Sequence, residues 1–122
     1  MAIIVCVFCV TVFADSPKPS IIPVPEKMEI RQGQFWLTPG TRIRVDEPSV
    51  ETGQYLAVKL RTSTGYAIPI NTNDEPLKGV IELTTKGAKA ELGPEGYELE
   101  VAPEVVSIKA PTQAGLFYGV QT

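Results

Sequence analysis

Two glutamates have the residue type and the spacing of a possible acid/base pair. Glu98 and Glu100 lie two positions apart in residues 97–101, where polar and apolar side chains alternate. This alternation is typical of a half-buried strand, in which residues two apart point to the same face, so the two carboxylates should lie side by side. Working acid/base pairs usually come from different elements, because their environments must differ. We therefore expect Glu98 and Glu100 to be solvated surface residues.

Two acidic dipeptides, Asp46-Glu47 and Asp74-Glu75, could also contact a cation from predicted loops. Neither has the spaced oxygen ligands of a calcium-binding loop. The sequence contains no histidine, and its two cysteines, Cys6 and Cys9, both lie near the amino terminus. This composition excludes catalysis by histidine, histidine-ligated zinc and a cysteine nucleophile in the rest of the chain. The sequence predicts no catalytic, metal-binding or cofactor-binding residue.

Phe35 and Trp36 are adjacent aromatic residues and suggest a surface on which a sugar ring could stack. Neighbouring residues of an extended chain face opposite ways, so only one of the two is expected to be exposed. A single aromatic side chain is more often part of a core or an interface. A secreted carbohydrate-binding module that uses Trp36 is therefore the alternative interpretation of the chain.

The charge distribution argues against nucleic acid as a partner. The net charge is −3, and the eleven lysines and arginines are spread singly along the chain. Nucleic acids and anionic lipids are bound by clustered positive charge. A length of 122 residues with 43% hydrophobic residues predicts one ordinary globular domain.

The amino-terminal end predicts export. Residues 2–14 are uncharged and mostly apolar, a run too short to span a bilayer but long enough for the core of a signal peptide. Val12-Phe13-Ala14 supplies small residues for cleavage before Asp15. A buried strand is the alternative interpretation, because β-branched residues dominate the run. Residues 15–25 contain four prolines and are predicted to be a linker.

Residues 26–122 are predicted to be the folded domain. Ser49 should cap a helix over residues 49–63 that ends at Gly65, and a second helix begins at Ala114. A glycine turn at residues 32–33 separates the first two predicted strands, and a hairpin joins the last two. The element order lacks βαβ regularity and indicates an α+β fold, a mixed sheet with helices packed on one face. Strands are predicted at residues 28–31, 34–37, 41–45, 67–70, 79–84, 97–101 and 105–109.

The last predicted helix carries an apolar stripe that needs a partner surface. Leu116, Phe117 and Val120 lie at helical spacing beside Gly115 and Gly119. Two small residues four apart indicate close packing of the helix backbone. The stripe should either fold back on the preceding residues or contact another part of a larger protein.

Six segments of the chain form a recognisable set, and the first and the last of them are the most specific. The segments are Ile21–Pro25, Gly33–Leu37, Thr41–Ile43, Gly96–Val101, Ile108–Ala110 and Ala114–Thr122. Taken together, they resemble the N-terminal domain of glycoside hydrolase family 20 β-N-acetylhexosaminidases, and the resemblance covers about residues 21–122. It implies an α+β unit of zincin-like topology, without zinc, that precedes a (β/α)₈ barrel.

The resemblance places the chemistry of the family outside this sequence. In that family the acetamido oxygen of the sugar attacks the anomeric carbon, while an Asp orients the acetamido group and a Glu protonates the leaving oxygen. The family's His-x-Gly-Gly-Asp-Glu setting for that pair is absent here. We therefore expect a catalytically silent domain that docks on the barrel through Leu116, Phe117 and Val120 and meets glycan substrate only through the barrel.

Overall fold

The computed structural model describes residues 20–22 and 24–122, and the chain forms two units, Met1–Ile30 and Arg31–Thr122. The described residues of the first unit form neither helix nor strand. The predicted signal peptide lies outside the described residues, as does most of the predicted linker. No helix in the described part of the chain is long and apolar enough to cross a bilayer.

The second unit is built on a five-stranded mixed sheet with the strand order β2-β1-β3-β5-β4, as far as the described residues go. The strands are β1 (Arg42–Val45), β2 (Ile70–Asn71), β3 (Val80–Thr84), β4 (Glu98–Val101) and β5 (Val105–Lys109), and the helices are α1 (Val50–Thr64) and α2 (Gln113–Gln121). Strands β2, β1, β3 and β5 are mutually parallel, whereas β4 pairs antiparallel with β5. The predicted hairpin of the last two strands is confirmed.

One βαβ unit is present, although the predicted element order showed no βαβ regularity. Helix α1 connects β1 to β2, and these two strands are parallel neighbours in the register Ile43 to Ile70. A parallel pair needs such a crossover, because the chain must return to the end of the sheet where the first strand began. The strand–helix–strand order of residues 41–70 was predicted, but the parallel pairing of its two strands was not.

Residues 28–37, all of which the structure describes, form no strand, so the two strands predicted there are wrong. The alternation in this segment has another cause. Phe35 packs partly buried against the core cluster while Trp36 beside it is exposed. Arg31 reaches Glu100 of β4 through its side chain, with 2.9 Å between Nη1 and Oε1. Side-chain anchors therefore hold the segment in place of ladder hydrogen bonds.

Strand β2 begins three residues later than predicted, because Ile68 adopts a left-handed conformation. Its φ of +39° is rare for a β-branched residue and interrupts the extended backbone. Arg61 at the end of α1 stabilises this bend by donating from Nε to the Ala67 carbonyl at 2.8 Å and from Nη2 to the Ile68 carbonyl at 2.9 Å. Burial of the Ile68 side chain in the core offsets the backbone strain.

Helix α1 ends as predicted but begins differently. Gly65 has a φ of +72° and its N–H donates to the Arg61 carbonyl, which is the expected left-handed C-cap. Ser49 belongs to a short 3₁₀ turn, Glu47–Ser49, and in the described structure its hydroxyl makes no capping bond to α1. The hydroxyl donates instead to the carboxylate of Asp46, so Ser49 fixes the strand before the helix.

Both helices lie on one face of the sheet, which confirms the predicted α+β architecture. Helix α1 contacts β1 and β2, helix α2 contacts β5, and the two helices contact each other. The core lies between the helices and this face of the sheet, with Ile43 and Val45 of β1 inward as predicted. Its buried residues are Ile43, Val45, Ala57, Ile68, Ile81, Leu83, Ile108, Ala110 and Leu116.

The glycines of α2 bring its backbone close to the sheet. Thr112 caps the helix by accepting a hydrogen bond from the N–H of Gly115 at 3.1 Å. A Cβ at Gly115 would overlap the carbonyl oxygen of Gly96 and would lie 2.8 Å from the Cβ of Ala110. A Cβ at Gly119 would lie 2.5 Å from Cγ2 of Ile108. The predicted close backbone packing at these two glycines is confirmed.

We expect Gly115→Ala to lower the free energy of unfolding by about 1–3 kcal/mol. Alanine normally favours a helix interior, so a loss would report the overlap with the backbone of Gly96. Urea unfolding of both proteins measures it. Gly40→Ala is the matched control, because a Cβ there meets only the Thr38 hydroxyl at 3.7 Å. Equal stability of the two variants would contradict the packing described for α2.

Candidate functional site

The structure separates the three residues that the sequence analysis placed at a domain interface. Leu116 is fully buried in the core of its own unit, and Val120 packs partly buried against that core. Phe117 points the other way and is 40% exposed. The apolar stripe therefore folds back on the preceding residues, and only Phe117 of the three presents substantial surface to a partner.

Phe117 belongs to an exposed apolar patch on the helices, which we call the aromatic surface and define as Tyr55, Val58, Phe117 and Tyr118. The rings of Tyr55 and Phe117 lie 5.1 Å apart between centroids, and those of Phe117 and Tyr118 lie 6.4 Å apart. Val58 follows Tyr55 by three positions on α1, so the two share a side of the helix. Val58 is 58% exposed and Tyr118 is 46% exposed. The patch spans both helices.

Polar groups fix the orientation of the Tyr55 ring within the aromatic surface. The side-chain amide of Gln121 donates to the Tyr55 hydroxyl at 3.0 Å, and the ammonium group of Lys59 lies 5.3 Å from the ring centroid. The hydrogen bond with Gln121, together with Lys59, lowers the pKa of Tyr55. These contacts join α1 to α2 across the surface and hold the aromatic rings in one arrangement.

Sequence reasoning missed Tyr55, Val58 and Tyr118. A signal was present in α1, where Tyr55 and Val58 lie outside the inward stripe of Leu56 and Leu60. Large apolar residues on both sides of a helix indicate that its second side also forms an apolar surface.

Glu98 and Glu100 lie on the same face of β4, as predicted, and each carboxylate has its own cationic partner. Glu98 accepts from Lys89 at 2.7 Å, and Glu100 accepts from Arg31 at 2.9 Å. Glu98 raises the pKa of Lys89 through this bond. Both carboxylates are thus placed in similar ion pairs, an arrangement that does not separate an acid from a base.

Asp46 is the centre of a hydrogen-bond network at the carboxyl end of β1. Its Oδ2 accepts from the Thr84 hydroxyl at 3.1 Å, from the Thr85 N–H at 2.8 Å and from the Thr85 hydroxyl at 3.0 Å. Its Oδ1 accepts from the Ser49 hydroxyl. Ser49 in turn accepts from the Gln113 amide of α2 at 3.2 Å. The carboxylate joins β1, the start of α1, the end of β3 and the start of α2.

The hydrogen bonds to Asp46 favour its ionised form. Burial alone raises the pKa of this carboxyl, but donation from Ser49, from the Thr85 N–H and from the Thr85 and Thr84 hydroxyls outweighs burial and lowers the pKa below its ordinary value. The carboxylate oxygens are occupied by protein donors. Asp46 therefore acts as a structural anchor rather than as a ligand for a cation.

The other acidic dipeptide also has protein partners. Glu75 approaches Arg42, with 3.4 Å between Oε2 and Nε, while the exposed Asp74 lies 4.0 Å from Arg44. In the described residues 20–22 and 24–122, no group of three or more His, Cys, Asp or Glu side chains could hold a metal ion.

Phe35 and Trp36 face opposite ways, as the sequence analysis predicted for adjacent aromatic residues. Phe35 packs against the core, and Trp36 is 72% exposed. The turn that follows is held by hydrogen bonds between Thr38 and Thr41, including Thr41 N–H to the Thr38 carbonyl at 3.0 Å. An anchored residue therefore lies on each side of the exposed indole.

Most of this chain is similar to part of known glycosidases. Residues 18–122 match glycosyl hydrolase family 20, domain 2. A lacto-N-biosidase of Bifidobacterium bifidum is 27% identical over 105 residues, and a β-hexosaminidase of Porphyromonas gingivalis is 32% identical over 104 residues. The matches cover 86% and 84% of this chain but only 9% and 13% of those proteins.

Solved structures are similar as well. The GH20 β-N-acetylhexosaminidase of Streptomyces coelicolor A3(2) superposes with a TM-score of 0.74 at 38% identity, over 83% of this chain and 20% of that one. The N-acetyl-β-hexosaminidase of Streptomyces plicatus, solved with thio-NAglucal, gives the same values. The chain thus spans about a fifth of the solved enzymes that it resembles.

We expect Asp46→Asn to lower the free energy of unfolding at pH 7 by about 1–2 kcal/mol, because the amide cannot accept all the bonds and solvent screens part of the loss. The folded pKa of Asp46 is lowered, so its contribution is complete above about pH 4 and disappears as pH falls through the folded pKa. Urea unfolding at pH 7 and pH 3 measures this.

The stability difference between the wild type and Asp46→Asn should shrink on acidification. Asp74→Asn, which removes an exposed carboxylate of the same type, is the control and should change stability little at either pH. A constant difference for Asp46→Asn between pH 7 and pH 3 would show that its ionisation does not stabilise the fold.

Proposed function

The chain belongs to glycosyl hydrolase family 20 as its domain 2, and we propose that it is the non-catalytic N-terminal domain of a β-N-acetylhexosaminidase. The full-length enzyme would remove terminal N-acetylhexosamine from glycans. Two observations support a silent role: the sequence has no histidine, and its family match covers domain 2 alone. Catalysis would then reside in the remaining four fifths of an enzyme built like the Streptomyces relatives.

The aromatic surface is the proposed contact with the catalytic barrel of the same enzyme. Phe117 and Tyr118 on α2, with Tyr55 and Val58 on α1, form an apolar patch that is partly exposed in the isolated unit. Contiguous exposed apolar patches mark interaction sites, and an intact relative supplies a large partner in the same chain. Burial of one such side chain contributes up to about 1.5–3 kcal/mol. The exposure of Phe117 beside Tyr55 is the observation that carries the proposal.

Leu116 and Val120 have an indirect part in this contact. Both pack against the core and thereby fix α2 on the sheet, while Phe117 and Tyr118 of the same helix are exposed. Of the three predicted interface residues, Leu116 and Val120 would thus anchor the helix, and Phe117 would contact the barrel.

We further propose that the enzyme is exported and that it meets glycan substrate only through the barrel, without a cofactor. The uncharged run at residues 2–14 supports export, since it has the length of a signal-peptide core. The sequence carries no clustered basic residues that would favour nucleic acid.

The silent role is tested by activity. The 122-residue chain should release no detectable chromophore from a chromogenic N-acetyl-β-glucosaminide, at any pH, because the family's paired carboxylates lie elsewhere. Turnover by the purified chain that survives removal of trace contaminants would overturn the proposal.

The docking role is tested by self-association. An uncovered apolar surface promotes association, so we expect the chain to associate at high concentration and Phe117→Ser and Val58→Ser to reduce this. Sedimentation velocity measures the shift towards monomer. Val101→Ser is the matched control, because Val101 on β4 is 54% exposed but lies outside the aromatic surface. A chain that stays monomeric, or a change equal in Val101→Ser, would contradict the assignment of the surface.

A second candidate function is glycan binding by Trp36. The 72% exposure of its indole, between the anchored Phe35 and the turn at Thr38, favours this candidate. In that case the chain would be a carbohydrate-binding module rather than a docking domain. The described residues place no second aromatic ring in contact with Trp36.

Tryptophan fluorescence separates the two candidates, because Trp36 is the single tryptophan of the chain. The accessory-domain proposal predicts no saturable change in its emission on titration with N-acetylchitooligosaccharides at millimolar concentrations. A saturable blue shift would favour the binding module. Acrylamide quenching is the internal control, since an indole this exposed should be quenched efficiently.

A further inference from the structure

A cleft of about 240 Å³ opens where the parallel strands end. Its lining includes Asp46 after β1, Thr72 after β2 and Lys86 after β3. Lys109, the last residue of β5, completes the wall. All four parallel strands therefore contribute their carboxyl ends to one depression.

The chain topology explains why a cleft forms at this edge. From β1 the chain crosses through α1 to β2, which lies on one side of β1 in the sheet. From β3 the chain continues to β4 and β5, which lie on the other side. Connections that leave adjacent strands in opposite directions open a crevice, and open α/β sheets bind ligands in such crevices, outside the carboxyl ends of their strands.

The acidic side chains of the cleft already have partners. Asp46 accepts hydrogen bonds from Ser49, Thr84 and Thr85. Glu82 accepts from the guanidinium group of Arg44 and, at 3.4 Å, from the Ser107 hydroxyl. The remaining carboxylate, that of Asp74, is fully exposed at the rim.

Two cationic side chains of the cleft lack such partners. Neither Lys86 nor Lys109 forms an ion pair or hydrogen bond through its ammonium group with any residue that the structure describes. Glu98, which lies opposite Lys109 in the β4–β5 register, is bound to Lys89. Within the cleft, Arg44 is paired with Glu82, and neutral donors hold the charged carboxylate of Asp46. Lys86 and Lys109 are the cations of the lining that form no ion pair with the described residues.

We propose that this cleft is a binding site for a small oxyanion, held by the ammonium groups of Lys86 and Lys109 beside the Thr72 hydroxyl. Ammonium groups form charge-assisted hydrogen bonds with carboxylate and phosphate oxygens. Arg44 and Glu82 lie on the sheet face opposite the helices, because they alternate with the inward Ile43 and Leu83. A partner on the aromatic surface would leave this face open, so the site is independent of the proposed docking role.

The oxyanion has two chemically distinct sources, which the test separates. It is either the carboxylate of an acidic sugar or free inorganic phosphate. The 122-residue chain is titrated with sodium glucuronate, with inorganic phosphate and with neutral glucose, at constant ionic strength, and the amide resonances of Lys86 and Lys109 are followed by NMR. We expect saturable shifts with at least one anion and none with glucose, and weaker binding as salt is raised.

Lys86→Gln and Lys109→Gln should each raise the dissociation constant about tenfold. Lys78→Gln is the control, because it removes the same charge from a lysine outside the cleft. Lys86 is exposed, so its variant keeps the test valid even if Lys109→Gln impairs folding. The proposal is overturned if neither anion binds, if glucose binds equally well, or if the cleft variants bind like Lys78→Gln.

Discussion

The carboxylate of Asp46 is the contact on which the arrangement of the second unit depends. It lies where β1 passes into α1 and accepts hydrogen bonds from the end of β3 and from Ser49, which contacts Gln113 at the start of α2. Removal of a carboxylate from water is costly unless donors replace the lost solvent. Here donors from separate elements do so, and each satisfied bond fixes one element relative to the others. These bonds help to fix the starts of both helices relative to the sheet.

Helices fixed in this way give the unit two faces of different chemistry. The helices carry the exposed rings of Phe117 and Tyr118 beside Tyr55. The opposite sheet face carries a polar row that runs in register across the strands, and ion pairs neutralise its central members. The row consists of Asn71, Arg44, Glu82, Ser107 and Glu100. Exposure of an apolar face to water raises the free energy, whereas a charged face is well solvated, so the helix side favours contact with a partner and the sheet side favours solvent.

Sequence patterns predicted the parts of this fold that local physics controls. The left-handed cap at Gly65 and the β4–β5 hairpin each depend on residues near one another in the chain. Strand β2 and the segment around Phe35 were mispredicted because individual side-chain contacts decide them, and a periodic pattern of apolar residues does not. Arg61 stabilises the bend at Ile68, and a core built from later residues anchors Phe35. The pattern of polar and apolar residues in these two segments does not reveal such contacts.

The functional surfaces were harder to predict than the fold for a related reason. Tyr55 and Phe117 form one patch only because α1 and α2 pack side by side, and Lys86 and Lys109 line one cleft only because β3 and β5 are parallel neighbours. The sequence identified Phe117 from its helical spacing, but the inward turn of Leu116 follows from the close approach of α2 to the sheet at Gly115 and Gly119. Because these glycines bring the α2 backbone against the sheet, Leu116 is fully buried and Val120 is partly buried, whereas Phe117 and Tyr118 are exposed. The same two glycines thereby determine which side of α2 joins the core and which side stays exposed.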